Sequence, residues 1–202
     1  MAGIFDMKIT LAIDTATSRT QFALIRGVEI IWEEFEDGAT THGDVLAKFG
    51  KNVAKEKIDQ VIVGMGPGPF TGLRTGIVFA KSFAFARNLP MKGICSLDAL
   101  AYGIDLPDFI VATDARRKEL YWARYVNGVR VGQPKVSAPI EIIEKNQDVP
   151  LFGEGALKYK LTDDQRNLYP KLISFPKLLQ VDNPMYLRHP DAVPPKEFKT
   201  VR

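Results

Sequence analysis

Leu11-Ala12-Ile13-Asp14 runs through Thr15-Ala16-Thr17-Ser18-Arg19 into Gln21-Phe22-Ala23-Leu24-Ile25, and one hundred positions later the pattern returns. Val111-Ala112-Thr113-Asp114 runs through Ala115-Arg116-Arg117-Lys118-Glu119 into Tyr121-Trp122-Ala123-Arg124-Tyr125. Each copy reads as an apolar strand, an Asp, a short polar turn and a second strand. Each then meets a glycine and a third short apolar run, Gly27-Val28-Glu29-Ile30 in the first and Gly128-Val129-Arg130-Val131 in the second. Two such hairpins predict two related lobes facing each other, with Asp14 and Asp114 at equivalent places at their mouths. Strand–turn–strand is common, so two unrelated hairpins would give the same echo.

Working outward, residues 8–14, 20–26 and 28–34 read as a three-stranded meander. Thr41-His42-Gly43-Asp44 reads as a capping box opening a helix that carries Val45, Leu46, Phe49 and Val53. Residues 60–64 read as a short buried strand. Residues 71–88 give the best helix, which Pro90 stops. A strand over 92–95 and a short helix over 96–101 capped by Ser96 complete the first half. The second half holds the hairpin over 109–131, a helix over 140–146, a strand over 149–152 and a helix over 156–161. Beyond Ile173 come Pro176, Pro184, Pro190, Pro194 and Pro195, which predict an extended surface tail that frays after Val193. Strands alternating with helices, plus hairpins, give a mixed α/β sheet in each half. The expected fold is the actin-like ATPase (ASKHA, ribonuclease H-like) two-lobe fold. The first lobe would span residues 1–103, and a reduced second lobe with the proline-rich tail residues 104–202.

The 202 residues are 46% hydrophobic and 25% charged, an ordinary globular composition that suffices for a sizeable core. The net charge of +3 does not by itself imply nucleic acid. The longest basic run is Arg116-Arg117-Lys118, read as a solvated hairpin turn. Cys95 is the one cysteine, which excludes an internal disulfide and paired-cysteine metal sites and reads as a small core residue. The opening residues lack a basic and then apolar leader, and no apolar run has membrane-spanning length. The expectation is a cytoplasmic protein.

Gly64-Met65-Gly66-Pro67-Gly68-Pro69-Phe70-Thr71-Gly72-Leu73-Arg74-Thr75-Gly76 joins a strand to the main helix. A glycine-rich loop at a helix N-terminus invites a phosphate. A P-loop, however, ends in Gly-Lys-Ser/Thr, and here Leu73-Arg74 follows Gly72. The dinucleotide fingerprint requires a glycine where Thr71 stands. Pro67 and Pro69 also remove amide donors. The loop therefore reads as structural, with its glycines supplying positive φ and close packing.

The same loop, Gly66-Pro67-Gly68-Pro69-Phe70-Thr71-Gly72-Leu73-Arg74-Thr75-Gly76, resembles the G-P-G-S-F-T-G-x-R-x-G signature of the bacterial TsaB (YeaZ) family. Leu11-Ala12-Ile13-Asp14-Thr15-Ala16-Thr17 is similar to that family's opening. The blocks Ser96-Leu97-Asp98-Ala99-Leu100-Ala101, Asp114-Ala115-Arg116-Arg117-Lys118-Glu119-Leu120-Tyr121 and Pro184-Met185-Tyr186-Leu187-Arg188 follow in order. Pro69 replaces the usual serine. The resemblance covers nearly the whole chain. It implies a non-catalytic subunit of the machinery that forms threonylcarbamoyladenosine on tRNA, at the adenosine 3′ of the anticodon. The implied partners are the TsaD transferase and the TsaE ATPase, which would bind the ATP and metal, so no cofactor of its own is expected. tRNA would be met through the complex.

Two enzyme readings stand beside this one. In an actin-like kinase, Asp14 and Thr15 to Ser18 would bind Mg²⁺ and phosphate, and Asp114 would serve as base or second phosphate-loop residue. Asp14, Thr15 and Asp114 are thus the weak candidates for cofactor binding. A glycoprotease-like metallopeptidase would need a helical H-x-x-x-H pair, which is absent. His42 and His189 read as surface or capping residues.

On a helical wheel, Leu73, Gly76, Ile77, Ala80, Phe83 and Ala84 share one face, and Val78, Phe79, Ser82, Phe85 and Ala86 gather roughly opposite. A helix apolar on two sides is buried, or buried on one face and docked on the other. The resemblance implies docking through this helix, to TsaD or to a second copy in a homodimer. The expected interface is Gly76, Ile77, Ala80, Phe83 and Ala84, shared with Val45, Phe49 and Val53.

Overall fold

The computed structural model describes residues 8–38 and 40–188. The first sheet holds β1 (Ile9–Asp14), β2 (Arg19–Arg26), β3 (Glu29–Asp37), β4 (Gln60–Gly64) and β5 (Met91–Ile94), in the order β3-β2-β1-β4-β5. β1 pairs antiparallel with β2 and parallel with β4, so it lies at the centre. Its run of apolar residues is buried on both faces, as a central strand requires. β3 alternates between partly buried and exposed residues and carries Glu29, Glu33, Glu36 and Asp37 along the edge. Charge on an edge strand discourages pairing with other chains.

Each face of this sheet is covered. Leu11, Ile13, Phe22, Val61 and Val63 meet α1 (His42–Val53) and α2 (Phe70–Ala86). Phe22 stands edge-on to Phe49 and Phe79 at ring separations of 5.5 and 5.6 Å, contacts worth about 1 kcal/mol each beyond burial. On the other face Ala12, Ala23, Ile25 and Ile62 meet Leu172 and Phe175. These two belong to a 3-10 helix, Leu172–Lys177.

The second sheet repeats the arrangement at smaller scale. β6 (Asp108–Asp114) pairs antiparallel with β7 (Leu120–Val126) and parallel with β10 (Leu151–Phe152). The short strands β8 (Val129–Arg130) and β9 (Lys135–Ser137) both pair with β7. α4 (Pro139–Lys145) and α5 (Glu154–Lys158) are short, and Ile142 and Ala156 pack on Ile110, Ala112 and Trp122. α3 (Ser96–Ala101) lies between the sheets: Ala99 packs on the first, while Leu97 and Leu100 pack on Phe109, Val111 and Tyr125 of the second. β1 and β6, β2 and β7, and β4 and β10 are topological counterparts.

Several local expectations need correction. Thr41 makes no side-chain cap; its hydroxyl donates to the Gly38 carbonyl instead. Ser96 lies inside α3 rather than capping it, because its hydroxyl is drawn to Asp14. β9 and the 3-10 helix fall outside the predicted elements, since their sequences carry no clear period. Residues 172–185 also return to the first half of the chain. Val181 N–H donates to the Gly93 carbonyl and Met185 N–H to the Met65 carbonyl, both in the first half of the chain. The foreseen fraying after Val193 lies outside the described residues.

Candidate functional site: the cleft between the hairpins

Asp14 ends β1 with its carboxylate fully buried. Oδ1 accepts the Ala16 N–H at 2.9 Å and Oδ2 accepts the Ser96 hydroxyl at 2.6 Å. Burial pushes this acid up to about 6, against both hydrogen bonds, which pull it down. Gly64 closes the remaining side, where an added Cβ would overlap Asp14 Oδ2 and Ser96 Oγ. The Thr15 hydroxyl donates to the Gly72 carbonyl at 2.9 Å, and a Cβ on Gly76 would overlap that hydroxyl. A Cβ on Gly68 would stand 2.5 Å from the Ala16 carbonyl oxygen. The glycine loop is thus structural, letting α2 lie directly on the first turn.

The second turn is built alike and covered differently. Asp114 Oδ1 accepts the Arg116 N–H at 3.1 Å, and Oδ2 accepts Lys158 Nζ at 2.6 Å. The Asp114 N–H donates to Glu154 Oε1 at 2.9 Å. Burial holds the Glu154 acid above the usual carboxylate range. Arg116, Arg117 and Lys118 follow, with φ of 63°, 51° and 62°, all exposed. Left-handed backbone costs a side-chain-bearing residue roughly 1 kcal/mol, so three in succession need a well-fixed frame.

Between the N-terminus of α2 and the second turn lies a cleft of about 750 Å³. Gly68 to Gly72 and His42 line one side, Ala115, Arg116, Arg117 and Tyr121 the other, and Tyr186, Leu187 and Arg188 the end. Asp14 and Thr15 are not among the lining residues. The two aspartates do occupy equivalent ends of β1 and β6, but the first is walled in rather than standing at a mouth. A metal-and-phosphate role for Asp14 and Thr15 would have to compete with tight packing: each carboxylate oxygen already accepts a hydrogen bond, and Gly64, Ser96 and α2 lie close against the turn. Asp114 is likewise committed to Lys158.

His42 is buried, not a surface residue. Its Nδ1 lies 2.7 Å from the Thr20 hydroxyl, and Gly72 makes room for its ring. Burial, helped by the nearby Arg116 charge, holds its pKa below the ordinary value. His189 lies outside the described residues. Cys95 is buried, and burial pushes its thiol up to about 12, which leaves it unreactive. Among the described residues no three His, Cys, Asp or Glu side chains gather where a metal could sit.

The interface residues also move. Val45, Phe49, Val53, Gly76, Ile77, Ala80 and Ala84 are buried against the first sheet, and Phe83 is half-buried beside them. That face of α2 is core, because it is the face that covers Leu11, Ile13 and Val63. The accessible stripe is Arg74, Val78, Lys81 and Phe85, with Val78 at 52% and Phe85 at 89% exposure. Tyr186 and Arg188 in the cleft were missed as site residues. Their only signal was an aromatic–basic pair inside the block 184–188.

Residues 44–181 match the model of the tRNA N6-adenosine threonylcarbamoyltransferase family, TsaD. The chain belongs to this family, with the actin-like two-lobed α/β fold. Within the family it belongs to the TsaB (YeaZ) branch. It is 34% identical over 138 residues to the Escherichia coli tRNA threonylcarbamoyladenosine biosynthesis protein TsaB, an alignment covering 61% of this chain and 58% of that protein. YeaZ from Pseudomonas aeruginosa superposes with a TM-score of 0.66 at 26% identity, covering 85% of this chain and 90% of that one. An uncharacterised Mycobacterium tuberculosis protein is 35% identical over 201 residues, covering 91% of this chain and 93% of that protein. The chain thus spans somewhat over half of the Escherichia coli TsaB and nearly all of the mycobacterial protein.

Proposed function

We propose that this chain acts in tRNA threonylcarbamoyladenosine biosynthesis as a non-catalytic cytoplasmic subunit that binds and supports a TsaD transferase, together with a TsaE ATPase. The names of its TsaB relatives support the pathway. The observation that carries the non-catalytic reading is the sealed first turn. A phosphoryl-transfer site of this fold type needs an open carboxylate for the metal, and Asp14 is closed in by Ser96 and Gly64. On this reading the ATP and the metal are held by the partners, and tRNA is engaged by the assembled complex.

The docking face in this reading is the solvent side of α2. Val78 and Phe85 present apolar surface on a helix that is already buried on its other side. Arg74 and Lys81 flank them with positive charge. The same face would let two copies pair in isolation, in competition with TsaD.

Phe85→Glu tests the reading against Ala80→Glu. The first should stay folded, become monomeric and weaken TsaD capture by at least about tenfold. The second puts a carboxylate into the core and should unfold the chain, at a cost above about 4 kcal/mol. A folded Phe85→Glu, Val78→Glu double variant that still captures TsaD would exclude this face.

A further inference from the structure

A second groove lies on the outer part of the first sheet, apart from the cleft. It has a volume of about 480 Å³ and separates β2 and β3 from residues 165–173. Gln21 of β2 and Ile30, Glu33 and Phe35 of β3 are among the described residues that line it. The strand register brings them together, since Gln21 stands opposite Phe35 and Ala23 opposite Glu33, and alternate positions share a face. Beyond them the outer edge of β3 pairs with no strand among the described residues.

The groups left without partners in this groove are acceptors. Gln21 is only 5% exposed. Its Nε2 donates to the Pro170 carbonyl at 3.2 Å, which fixes the orientation of the amide. Its Oε1 accepts no hydrogen bond among the described residues, a costly state for a buried oxygen. Glu33 makes no hydrogen bond or ion pair among the described residues. Partial burial holds its acid above the usual carboxylate range, in spite of the Arg19 charge. The cations that line the groove are engaged elsewhere. Arg19 pairs with Asp37, Arg166 with Asp164, and Lys171 Nζ donates to the Tyr102 carbonyl. Two acceptors without donors favour a ligand that brings N–H groups and positive charge. Ile30 and Ile173 give the groove an apolar wall, and Phe35 is 56% exposed. The Phe35 ring already carries one guanidinium, that of Arg19 at 4.1 Å.

We infer that this groove binds a guanidinium on an aliphatic stem, whose N–H groups donate to Glu33 and to Gln21 Oε1 while the stem lies along Ile30 and Phe35. A planar donor group matches a carboxylate beside an amide oxygen, and an aliphatic stem matches the apolar wall. The guanidinium belongs either to a free small molecule or to an arginine of a partner strand laid along the open edge of β3. Strand addition would send every second side chain to this face. The site shares no residue with the cleft or with the accessible stripe of α2, and it involves no bond-making step.

The test is a titration of the full chain, read by NMR, with butylguanidinium, with its neutral isostere butylurea and with the peptide acetyl-Val-Arg-Val-amide. Butylguanidinium should bind with a Kd below about 10 mM, and butylurea at least about fivefold more weakly. Glu33→Gln should weaken butylguanidinium by at least about fivefold. Glu33 is exposed, so this variant keeps the fold. Phe35→Ala, also at an exposed position, should weaken it by at least about twofold. A peptide that binds at least about tenfold tighter than butylguanidinium identifies an arginine on an added strand; a smaller gain identifies a free small molecule. The inference is overturned if butylguanidinium binds no tighter than about 10 mM, if butylurea binds as well, or if both variants bind as the parent does. Phe85→Glu should leave this binding unchanged, and a loss there would place the ligand on α2 instead. No partner is present in this experiment, so its failure leaves docking to TsaD untouched, and loss of docking leaves it untouched.

Discussion

At the end of β1, Asp14 Oδ1 accepts the amide of Ala16; at the end of β6, Asp114 Oδ1 accepts the amide of Arg116. The backbone device is the same, and the second carboxylate oxygen separates the two. Asp14 gives it to a buried neutral hydroxyl, Ser96, and Asp114 to a half-exposed ammonium, Lys158. Around the first turn the glycines 64, 68 and 76 bring the chain so close that a Cβ at any of them would overlap its neighbours. Around the second, the turn protrudes and its arginines face a cleft. One hairpin has become a core element and the other a surface for contact. The difference lies in what covers each turn, since the strands and their pairing are alike.

The largest effect expected from this contrast is at Gly68. Its Cβ would meet the Ala16 backbone at 2.5 Å, which cannot yield as a flexible side chain can. Gly68→Ala should cost about 3 kcal/mol or more in urea denaturation. Gly128→Ala, in the turn between β7 and β8, meets nothing within 4 Å and suffers only from its φ of 75°. It should cost about 1 kcal/mol. Equal costs at the two positions would show that the first turn is not tightly covered.

The second expectation concerns pH. The Asp14 acid rises from 3.8 to about 6 on folding because its charge is desolvated. Between those values the folded chain holds a proton that the unfolded chain has lost, so stability falls as pH rises through this window. The Asp14 contribution favours folding fully below about pH 4, and above pH 6 it is lost, a change of roughly 3 kcal/mol. Asp14→Asn should remove that change. Denaturation at pH 4.5 and 7.5 should show a difference between parent and variant that depends on pH by about 2 kcal/mol. A constant difference would mean that the carboxylate is not desolvated.

Third, the two oxygen partners should differ in worth. Ser96→Ala leaves a buried carboxylate oxygen unpaired and should cost about 2 kcal/mol. Lys158→Ala removes a partner that is half in water, and should cost about 1 kcal/mol or less, with a clear dependence on salt that Ser96→Ala lacks.

The sequence carried the echo itself, because strand periodicity and the Asp at each turn are local signals. It also carried α2, whose length and Pro90 stop are local. It could not carry the cover. Whether Asp14 is open depends on Ser96, which lies 82 positions away, and on Gly64. The face of α2 was misassigned for the same reason: both faces are apolar in sequence, and only the sheet decides which one is core. Tyr186 and Arg188 reach the cleft through a return path from the second half of the chain, which no local pattern encodes.

The smallest effect is expected at Lys118, and it sharpens the contrast most finely. Its φ of 62° places it in the left-handed region, which a Cβ disfavours and glycine occupies freely. It is exposed and is not among the described residues that line the cleft. Lys118→Gly removes the steric penalty but makes the unfolded chain more flexible, and the two terms oppose each other. The net should be a gain of about 0.5 kcal/mol or less. The corresponding turn of the first hairpin has no positive-φ residue among 15–18, so Thr17→Gly should bring only loss. A Lys118→Gly variant that is clearly destabilised would mean that the left-handed turn is held by its side chains rather than tolerated.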